Sequence, residues 1–241
     1  MRVLLKGMSR LSQSGARFVP ASDQTLLIYF GESISQEAHE SVVRFVRLLE
    51  REPLREVRNV HPAYCSVLVK FDALRWTHAE LEAALRERLA RLGSVPLPAA
   101  RVVEIPACYE DVYAPDTAEI CARRGWPAER VMALHTAASY QVYFLGFVPG
   151  FAYLGELPEE LAEARLATPR RQVPAGSVAI AGRQTAVYPF ATPGGWRLIG
   201  RTPMRMFRAG DGGSSVLAIG DRVRFRAISA AEFVELEKTW R

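Results

Sequence analysis

Residues 173–190 read VPAGSVAIAGRQTAVYPF and determine the fold class of the second half of this chain. Two short apolar runs, residues 177–181 and 185–190, follow a Pro-Ala-Gly sequence and are separated by Gly-Arg-Gln. Short apolar runs bounded by glycine and proline are typical of β-strands joined by tight turns. The same pattern recurs on both sides, at residues 140–144, 197–202 and 222–228. Many short strands with such turns predict a closed barrel or a sandwich.

The first part of the chain alternates strands with amphipathic helices. Ser33 and Gln36 fit a capping box before a helix, and Thr77 and Glu80 fit a second one. Apolar residues recur at helical spacing after each box. The predicted order strand–helix–strand–strand–helix favours a small two-layer domain of the ferredoxin-like type. The three strands are predicted at residues 25–30, 55–60 and 65–71.

A linker is predicted where the sequence reads GSVPLP, at residues 93–98. We therefore divide the chain into an α+β ferredoxin-like domain, residues 1–97, and a β-barrel domain, residues 98–241. The fold class of the whole chain is α+β.

Two short helices are predicted early in the second domain, after a strand at its start. Asp116 with Glu119 is predicted to cap the first, and Pro127 to open the second. Two helices around a glycine turn resemble a DNA-binding motif, but Arg130 is the only basic residue of the second helix before its last turn, too little to follow a phosphate backbone. Nucleic acid is therefore not an expected partner. After Ser139 the helical periodicity disappears.

Composition indicates a globular protein. The chain has 241 residues, of which 49% are hydrophobic and 24% charged. No apolar run approaches the roughly 20 residues that span a bilayer, and residues 1–16 lack the apolar block of a signal peptide. The three cysteines lie far apart without CxxC spacing, which argues against a disulfide framework or a zinc site. We expect a cytoplasmic protein with reduced thiols, no membrane partner and no metal site.

Positive charge is concentrated in one segment, although the net charge is only +5. Two interpretations are open. The segment provides an anion-facing surface for phosphate, carboxylate or an acidic partner protein, or its arginines cover solvated strand faces. Between residues 165 and 210 there is no acidic residue, and the eight arginines are Arg165, Arg170, Arg171, Arg183, Arg197, Arg201, Arg205 and Arg208.

Residues 145–155, LGFVPGFAYLG, predict a rigid pocket. The glycines let backbone approach a ligand, the proline fixes the loop, and three aromatic rings supply apolar walls. Later Gly/Pro segments add backbone donors, hydroxyls, an amide and a guanidinium, an inventory that suits a small polar anion or amide. The alternative is that a tight barrel needs glycine at its corners and proline at its edges. The candidate pocket residues are Gly146, Phe147, Pro149, Gly150, Phe151, Tyr153, Gly176, Ser177, Gln184, Thr185 and Arg201.

His135 is the one candidate for proton transfer. The sequence has no phosphate loop, no dinucleotide-binding glycine motif, no nucleophile elbow and no zinc-binding helix motif. His39, His61 and His78 are isolated, whereas His135 lies shortly before the glycine loop. An imidazole acts as acid or base near its ordinary pKa of about 6.5. A structural hydrogen bond is the alternative role for His135.

An ordered set of motifs across the chain resembles one family. Segments near residues 23–27 and 60–64 fit its first domain. The set resembles the PxpB family, the B subunits of 5-oxoprolinase, also called KipI or allophanate hydrolase subunit 1. The motifs are HTxxxY from residue 135, LGFxPGFxYLG from 145, ATPR from 167, VPAGSV from 173, QT from 184, YP from 188, TPGGW from 192, LIGRTP from 198 and GDxVxF from 220.

The resemblance implies a cyclophilin-like β-barrel for the second domain and two partners. One is a KipA-like (PxpC-like) protein with a related barrel, and the other is a LamB/YcsF-like (PxpA-like) protein. Together such subunits convert 5-oxoproline and water to glutamate, with ATP as co-substrate. The resemblance also implies that the chain has no turnover alone.

Two alternatives and three departures accompany the resemblance. KipI-type members inhibit autophosphorylation of a sensor histidine kinase, and related domains process urea or allophanate. This chain has Ala152 where the family usually has proline, Glu156 where it usually has glycine, and Glu110-Asp111 where a glycine pair is usual. We expect an altered substrate if these positions contact it.

Overall fold

The computed structural model describes residues 16–97, 99–210 and 213–240. Most of the segment predicted not to be a signal peptide, residues 1–15, lies outside the described residues. Within them, no helix is both long and apolar enough to cross a bilayer.

The chain divides into two compact units, Met1–Pro98 and Ala99–Arg241. We call them the first and second units. The predicted domain boundary, between residues 97 and 98, lies next to this division. Helices and strands occur in both units, which confirms the α+β class.

The first unit is built on a four-stranded antiparallel sheet in the order β1-β2-β4-β3. Because β4 pairs antiparallel with both β2 and β3, these two strands run parallel with β4 between them. The edge strand β1 was not predicted, since most of its residues are exposed and show no buried alternation. The ferredoxin-like designation stays a prediction. The elements are β1 (Arg17–Ser22), β2 (Thr25–Tyr29), α1 (Gln36–Arg51), β3 (Val57–Pro62), β4 (Ser66–Phe71) and α2 (His78–Leu89), followed by a 3₁₀ turn (Leu92–Ser94).

One of the two predicted capping boxes is confirmed. Before α2, Glu80 N donates to Thr77 Oγ1 at 3.3 Å and Thr77 N donates to Glu80 Oε2 at 2.7 Å. The box predicted at Ser33 and Gln36 is wrong, because the N-cap of α1 is Ser35, whose Oγ accepts from Ala38 N at 3.2 Å. Two serines lie within three positions, and the second is the one whose hydroxyl reaches the first turn of the helix from an extended backbone.

The second unit is built around a closed barrel of seven strands in the order β10-β7-β6-β15-β5-β12-β9. This confirms the predicted barrel and excludes the sandwich; the name cyclophilin-like stays a prediction. Its elements are β5 (Val102–Cys108), α3 (Thr117–Arg124), α4 (Ala128–Ala137), β6 (Ser139–Leu145), β7 (Ala152–Gly155), β8 (Arg170–Val173), β9 (Ser177–Ala181), β10 (Gln184–Val187), β11 (Thr192–Gly194), β12 (Arg197–Arg201), β13 (Phe207–Arg208), β14 (Ser214–Ser215), β15 (Arg222–Ile228) and α5 (Ala230–Thr239), with a 3₁₀ turn at Glu159–Leu161.

Three local predictions for the second unit are corrected. The C-terminal helix α5 was not expected, and its weak signal is explained by its single fully buried residue, Phe233. Pro127 is the N-cap of α4 rather than its first helical residue. The Asp116 carboxylate does not cap α3: it accepts from Leu198 N at 2.6 Å and from the Arg170 guanidinium at 2.5 Å.

The barrel strands separate two apolar clusters, since successive side chains point to opposite faces. On β9, Val178 and Ile180 belong to the inner cluster. Ala179 and Ala181 belong to a second cluster that includes Phe151, Val173, Tyr188 and Trp196. The first set fills the barrel, and the second packs on its outside with Val173 of β8, the strand that pairs with β11.

Candidate functional site

The loop between β6 and β7 consists of two consecutive turns. Val148 N donates to Gly146 O at 2.9 Å, which closes a three-residue turn on Phe147. The φ of Phe147 is 70°, in the left-handed region that side chains other than glycine rarely adopt. Phe151 N then donates to Val148 O at 3.1 Å, around Pro149 and Gly150. Proline followed by a glycine with φ of 81° matches a type II turn.

One side of this loop packs against the protein, and the other side is open. A Cβ on Gly150 would lie 2.7 Å from Phe207 Cβ, so only glycine allows the loop to pack this closely on β13. The loop residues 145–150 line a shallow depression of about 260 Å³. The Phe147 side chain is 60% exposed at this depression. This loop therefore lines an open apolar surface rather than an enclosed cavity, and the pocket predicted from it stays a prediction.

The loop leads into an aromatic cluster, which we define as Phe147, Phe151, Tyr153, Tyr188 and Trp196. Phe151 is its centre, with ring centroids 5.4 Å from Phe147, 5.0 Å from Tyr153, 5.2 Å from Tyr188 and 5.8 Å from Trp196. These edge-to-face contacts are favourable beyond the area they bury. Tyr153 also stacks on Phe144 at 4.3 Å. The cluster is a rigid wall in which only the rim is exposed.

The TPGGW segment, residues 192–196, contributes Trp196 to the aromatic cluster and packs against Tyr188. A Cβ on Gly194 would overlap the Tyr188 hydroxyl. Burial raises the pKa of Tyr188, and a hydrogen bond from the Trp196 backbone N–H partly offsets that rise. Burial likewise raises the pKa of Tyr153, against an electrostatic lowering by Arg165. Both phenols are neutral near pH 7.

Gly176, Ser177 and Arg201 lie at a barrel corner. Gly176 has a φ of 80° in the turn that Ser177 N closes on Pro174 O at 3.2 Å, and a Cβ there would overlap the Thr202 carbonyl. Arg201 Nε donates to Ala175 O at 2.9 Å, and its guanidinium lies 5.8 Å from the Phe233 ring centre. These contacts fit the alternative in which the corner glycine is required by the barrel.

Gln184 and Thr185 form the start of β10, where the β9–β10 hairpin closes. Gln184 pairs with Ala181, and Thr185 pairs with Ile180. Thr185 is fully buried and faces the barrel interior with Val187, two residues further on. It therefore lies away from the open rim of the aromatic cluster.

His135 is at the centre of a buried hydrogen-bond chain. Its Nδ1 lies 2.7 Å from Tyr109 Oη, and its Nε2 lies 2.9 Å from Thr185 Oγ1. The Thr185 hydroxyl donates to Ala179 O at 3.0 Å, so it accepts from Nε2–H. The network thus assigns a neutral imidazole with its proton on Nε2, and Tyr109 donates to Nδ1.

This environment favours the structural alternative for His135, and the proton-transfer role stays a prediction. The side chain has no solvent exposure, and burial lowers its pKa from 6.5 to about 3. Burial also raises the pKa of Tyr109 well above its usual range. With both ring nitrogens bonded and no open position beside them, His135 fits the structural alternative.

Acidic residues from outside the arginine segment neutralise three of its eight arginines. The pairs are Arg170–Asp116 at 2.5 Å, Arg183–Glu156 at 2.6 Å and Arg197–Glu119 at 2.6 Å. For the other five, the described residues provide no ion pair. Within the same ranges, no group of three or more His, Cys, Asp or Glu side chains is placed to hold a metal ion.

Comparison with known proteins places this architecture in a family. Residues 16–217 match the family described as carboxyltransferase domain, subdomain C and D. The chain is 36% identical to the B subunit of 5-oxoprolinase from Bacillus subtilis, over 88% of this chain and 92% of that protein. The chain belongs to this carboxyltransferase-domain family. The Escherichia coli O157:H7 protein of the same name is 50% identical over 53% of this chain and 59% of its own length.

Two solved structures share the fold of this chain. The protein TTHA0988 superposes with a TM-score of 0.75 at 35% identity, over 86% of this chain, which spans only 40% of that structure. The urea carboxylase of Kluyveromyces lactis has a TM-score of 0.75 at 18% identity, over 93% of this chain and 23% of its own. The second likeness shows the shared fold alone.

Two departures of this carboxyltransferase-domain chain from its family pattern have structural explanations. Ala152 opens β7, is buried in the inner cluster and pairs with Leu145. Glu156 is half-exposed and pairs with Arg183. Neither lies on the exposed rim formed by Phe147, so the expected effect of these positions on the substrate stays a prediction.

Two residues of the site were not predicted from the sequence. Tyr109 belongs to the His135 chain, and Arg165 is a neighbour of Trp196, with its guanidinium 5.8 Å from the ring centre. Both contacts join residues far apart along the chain. For Arg165, the one signal in the sequence is its place in the arginine segment.

Proposed function

We propose that this chain is the B subunit of an ATP-dependent 5-oxoprolinase, which cleaves 5-oxo-L-proline to L-glutamate with subunits of the KipA-like and LamB/YcsF-like types. The similarity to the Bacillus subtilis protein supports the proposal, because it extends over 92% of that protein and includes both units of this chain. In this proposal the setting is cytoplasmic and the chain has no turnover without its partners.

The reaction needs activation because a five-membered lactam resists hydrolysis. In the proposed sequence the lactam oxygen attacks the γ-phosphorus of ATP, and ADP leaves with the bridging oxygen. Water adds to the activated carbon, and the C–N bond breaks as the nitrogen takes a proton, which yields an acyl phosphate. A second water releases phosphate and leaves glutamate.

The aromatic cluster is the part of this chain that suits the lactam. Its walls are apolar and rigid, and its rim at Phe147 is open to a ligand or a partner protein. The sequence has no phosphate loop. We therefore propose that the partner proteins complete the ATP site. His135 is given no proton-transfer step in this proposal, because its side chain is fully buried and both ring nitrogens are already hydrogen-bonded within the protein.

Reconstitution with the partner proteins tests the proposal. The three purified subunits are mixed with ATP and 5-oxo-L-proline, and glutamate and phosphate are measured, with each subunit omitted in turn. We expect both products only when all three subunits and both substrates are present. A stable complex that releases no glutamate overturns the proposal.

Two further arms of the same experiment separate the alternative functions. Replacing 5-oxo-L-proline with urea or allophanate tests the second substrate class, for which the fold likeness is the only support. Adding the chain to an autophosphorylating sensor histidine kinase tests the inhibitor role. Activity in either arm, without glutamate formation, reassigns the function.

A further inference from the structure

Two tryptophans in the second unit carry an arginine over their rings. At Trp126, the guanidinium carbons of Arg124 and Arg130 lie 5.0 and 5.9 Å from the ring centre. At Trp196, that of Arg165 lies 5.8 Å away. Arginine on an aromatic face keeps its donor fork available for a planar anion.

The two tryptophans differ in whether a carboxylate of the protein binds the arginine on their ring. Arg124 binds Glu163 at 2.9 Å, and Arg130 binds Glu160 at 3.2 Å, so the protein supplies carboxylates at Trp126. Arg165 is exposed, and across residues 16–97, 99–210 and 213–240 no carboxylate lies within ion-pair distance of it. The arrangement at Trp196 therefore has the cation and the aromatic face but no anion.

The backbone and the neighbouring side chains hold Arg165 beside the aromatic cluster. Leu166 N donates to Gly195 O at 2.7 Å, which ties the residue after Arg165 to the residue before Trp196. The charge of Arg165 reaches the phenols of Tyr153 and Tyr188, whose pKa values it lowers against the larger effect of burial. Tyr153 lies 5.9 Å from Trp196, ring centre to ring centre.

The local charge selects the kind of anion. Two arginines act electrostatically on Tyr188, and one of them, Arg170, already binds the buried Asp116 at 2.5 Å. Of these two arginines, only Arg165 has no carboxylate partner among the described residues, and one guanidinium balances one negative charge. A single fork beside apolar rings suits a carboxylate on a small ring better than a polyphosphate, which takes several donors.

We propose that Arg165, Trp196 and Tyr153 form a binding site for the carboxylate of a small cyclic acid, with the guanidinium on the carboxylate and the ring against the aromatic cluster. The identity of the acid as 5-oxo-L-proline rests on the proposed function. Arg165 is then the residue that distinguishes the acid from the same lactam without its carboxylate.

Indole N–H resonances of the ¹⁵N-labelled full chain provide the test. The chain has four tryptophans, so Trp196 is assigned with Trp196→Phe, and Trp126 serves as the internal control. The ligands are 5-oxo-L-proline and 2-pyrrolidinone, the same ring without a carboxylate. We expect a saturable shift at Trp196 with the acid and none with the neutral lactam.

Matched arginine variants locate the charge. Arg165→Ala should weaken binding of the acid at least tenfold, and Arg165→Lys should weaken it less because it keeps the charge. Arg171→Ala removes another exposed arginine without an ion pair among the described residues and should leave binding unchanged. Equal effects of the Arg165 and Arg171 variants, or an acid that leaves Trp196 unshifted, overturn the proposal.

The reconstituted complex separates this inference from the proposed function. If it forms glutamate and Arg165→Ala raises KM for 5-oxo-L-proline, both stand. If it forms glutamate and KM is unchanged, the carboxylate site is overturned alone. If no glutamate forms but Trp196 still responds to the acid through Arg165, the site stands and the proposed function fails. Loss of complex assembly in Arg165→Ala would assign the missing carboxylate to a partner protein and overturn the site.

Discussion

The side chains inside the barrel and those outside it differ in whether their bonding capacity is already used within the protein. Inside, Tyr109, His135 and Thr185 form a chain in which each side chain has its hydrogen-bond partner within the protein. Outside, the aromatic cluster ends in an exposed Phe147 and has beside it an arginine without a carboxylate among the described residues. The histidine therefore lies where all its hydrogen-bonding atoms already have partners. The groups that can still bind another molecule are an arginine and an exposed aromatic ring.

This contrast gives a way to rank candidate residues. A histidine near a glycine loop is attractive by type, but its surroundings use both of its nitrogens and disfavour its charge. An arginine among eight is ordinary by type, yet its position leaves it without an anion in the part of the chain that the structure describes. Unused bonding capacity at an exposed position is a better guide to function than residue type.

Removing the centre of the aromatic cluster should cost the most stability. Phe151→Ala deletes a ring that is 2% exposed and contacts four other rings. Large-to-small substitutions of this kind cost about 3–5 kcal/mol of unfolding free energy. Urea unfolding followed by tryptophan fluorescence measures the loss. Phe147→Ala, at a 60% exposed position, is the control and should change stability by less than about 1 kcal/mol. Similar losses for the two variants would contradict the role of Phe151 as the centre.

Acid should destabilise the barrel through His135. The folded-state pKa is about 3, against 6.5 for an unperturbed histidine, so the unfolded chain binds the proton more readily. Stability is therefore complete above pH 6.5 and falls by about 1.4 kcal/mol per pH unit as the pH drops towards 3. Between pH 6.5 and 4.5 this amounts to roughly 2–3 kcal/mol.

The difference between wild type and His135→Gln isolates this effect from the carboxylates that also titrate. Urea unfolding at pH 6.5, 5.5 and 4.5 should show a smaller slope for His135→Gln, while His61→Gln, at an exposed position, keeps the wild-type slope. An equal slope in wild type and His135→Gln would show that the imidazole is not held neutral.

A smaller loss is expected from breaking the buried chain at its other end. Thr185→Val keeps the shape but removes the hydroxyl that accepts from His135 Nε2–H and donates to Ala179 O. The buried His135 Nε2–H is then left without a partner, whereas Ala179 O keeps its place in the β9–β10 ladder, and the unpaired donor costs about 1–3 kcal/mol. Thr185→Ser restores the hydroxyl and should recover most of the loss in the same unfolding measurement. A Thr185→Val protein as stable as wild type would show that the chain contributes nothing.

The features of this molecule that depend on residues close together along the chain could be predicted from the sequence. Short strands between Gly/Pro turns predicted the barrel, and the turn at Pro149-Gly150 follows from its own residue types. Contacts between distant segments were not predictable. The 50 positions between His135 and Thr185, and the β8–β11 pairing near Arg165 and Trp196, leave no periodic signal in the sequence.

The smallest of these effects on the free energy of unfolding is expected from the backbone conformation of Phe147, at the exposed edge of the aromatic cluster. A residue with a side chain pays conformational energy of about 1–2 kcal/mol at a φ of 70°, whereas glycine does not. Phe147→Ala and Phe147→Gly both delete the ring, so their difference isolates the backbone cost, reduced by the greater entropy of glycine in the unfolded chain. We expect Phe147→Gly to be more stable than Phe147→Ala by up to about 1 kcal/mol in urea unfolding. The reverse order would mean that the backbone relaxes once the ring is gone, and that packing of the ring on Phe151 imposes the turn.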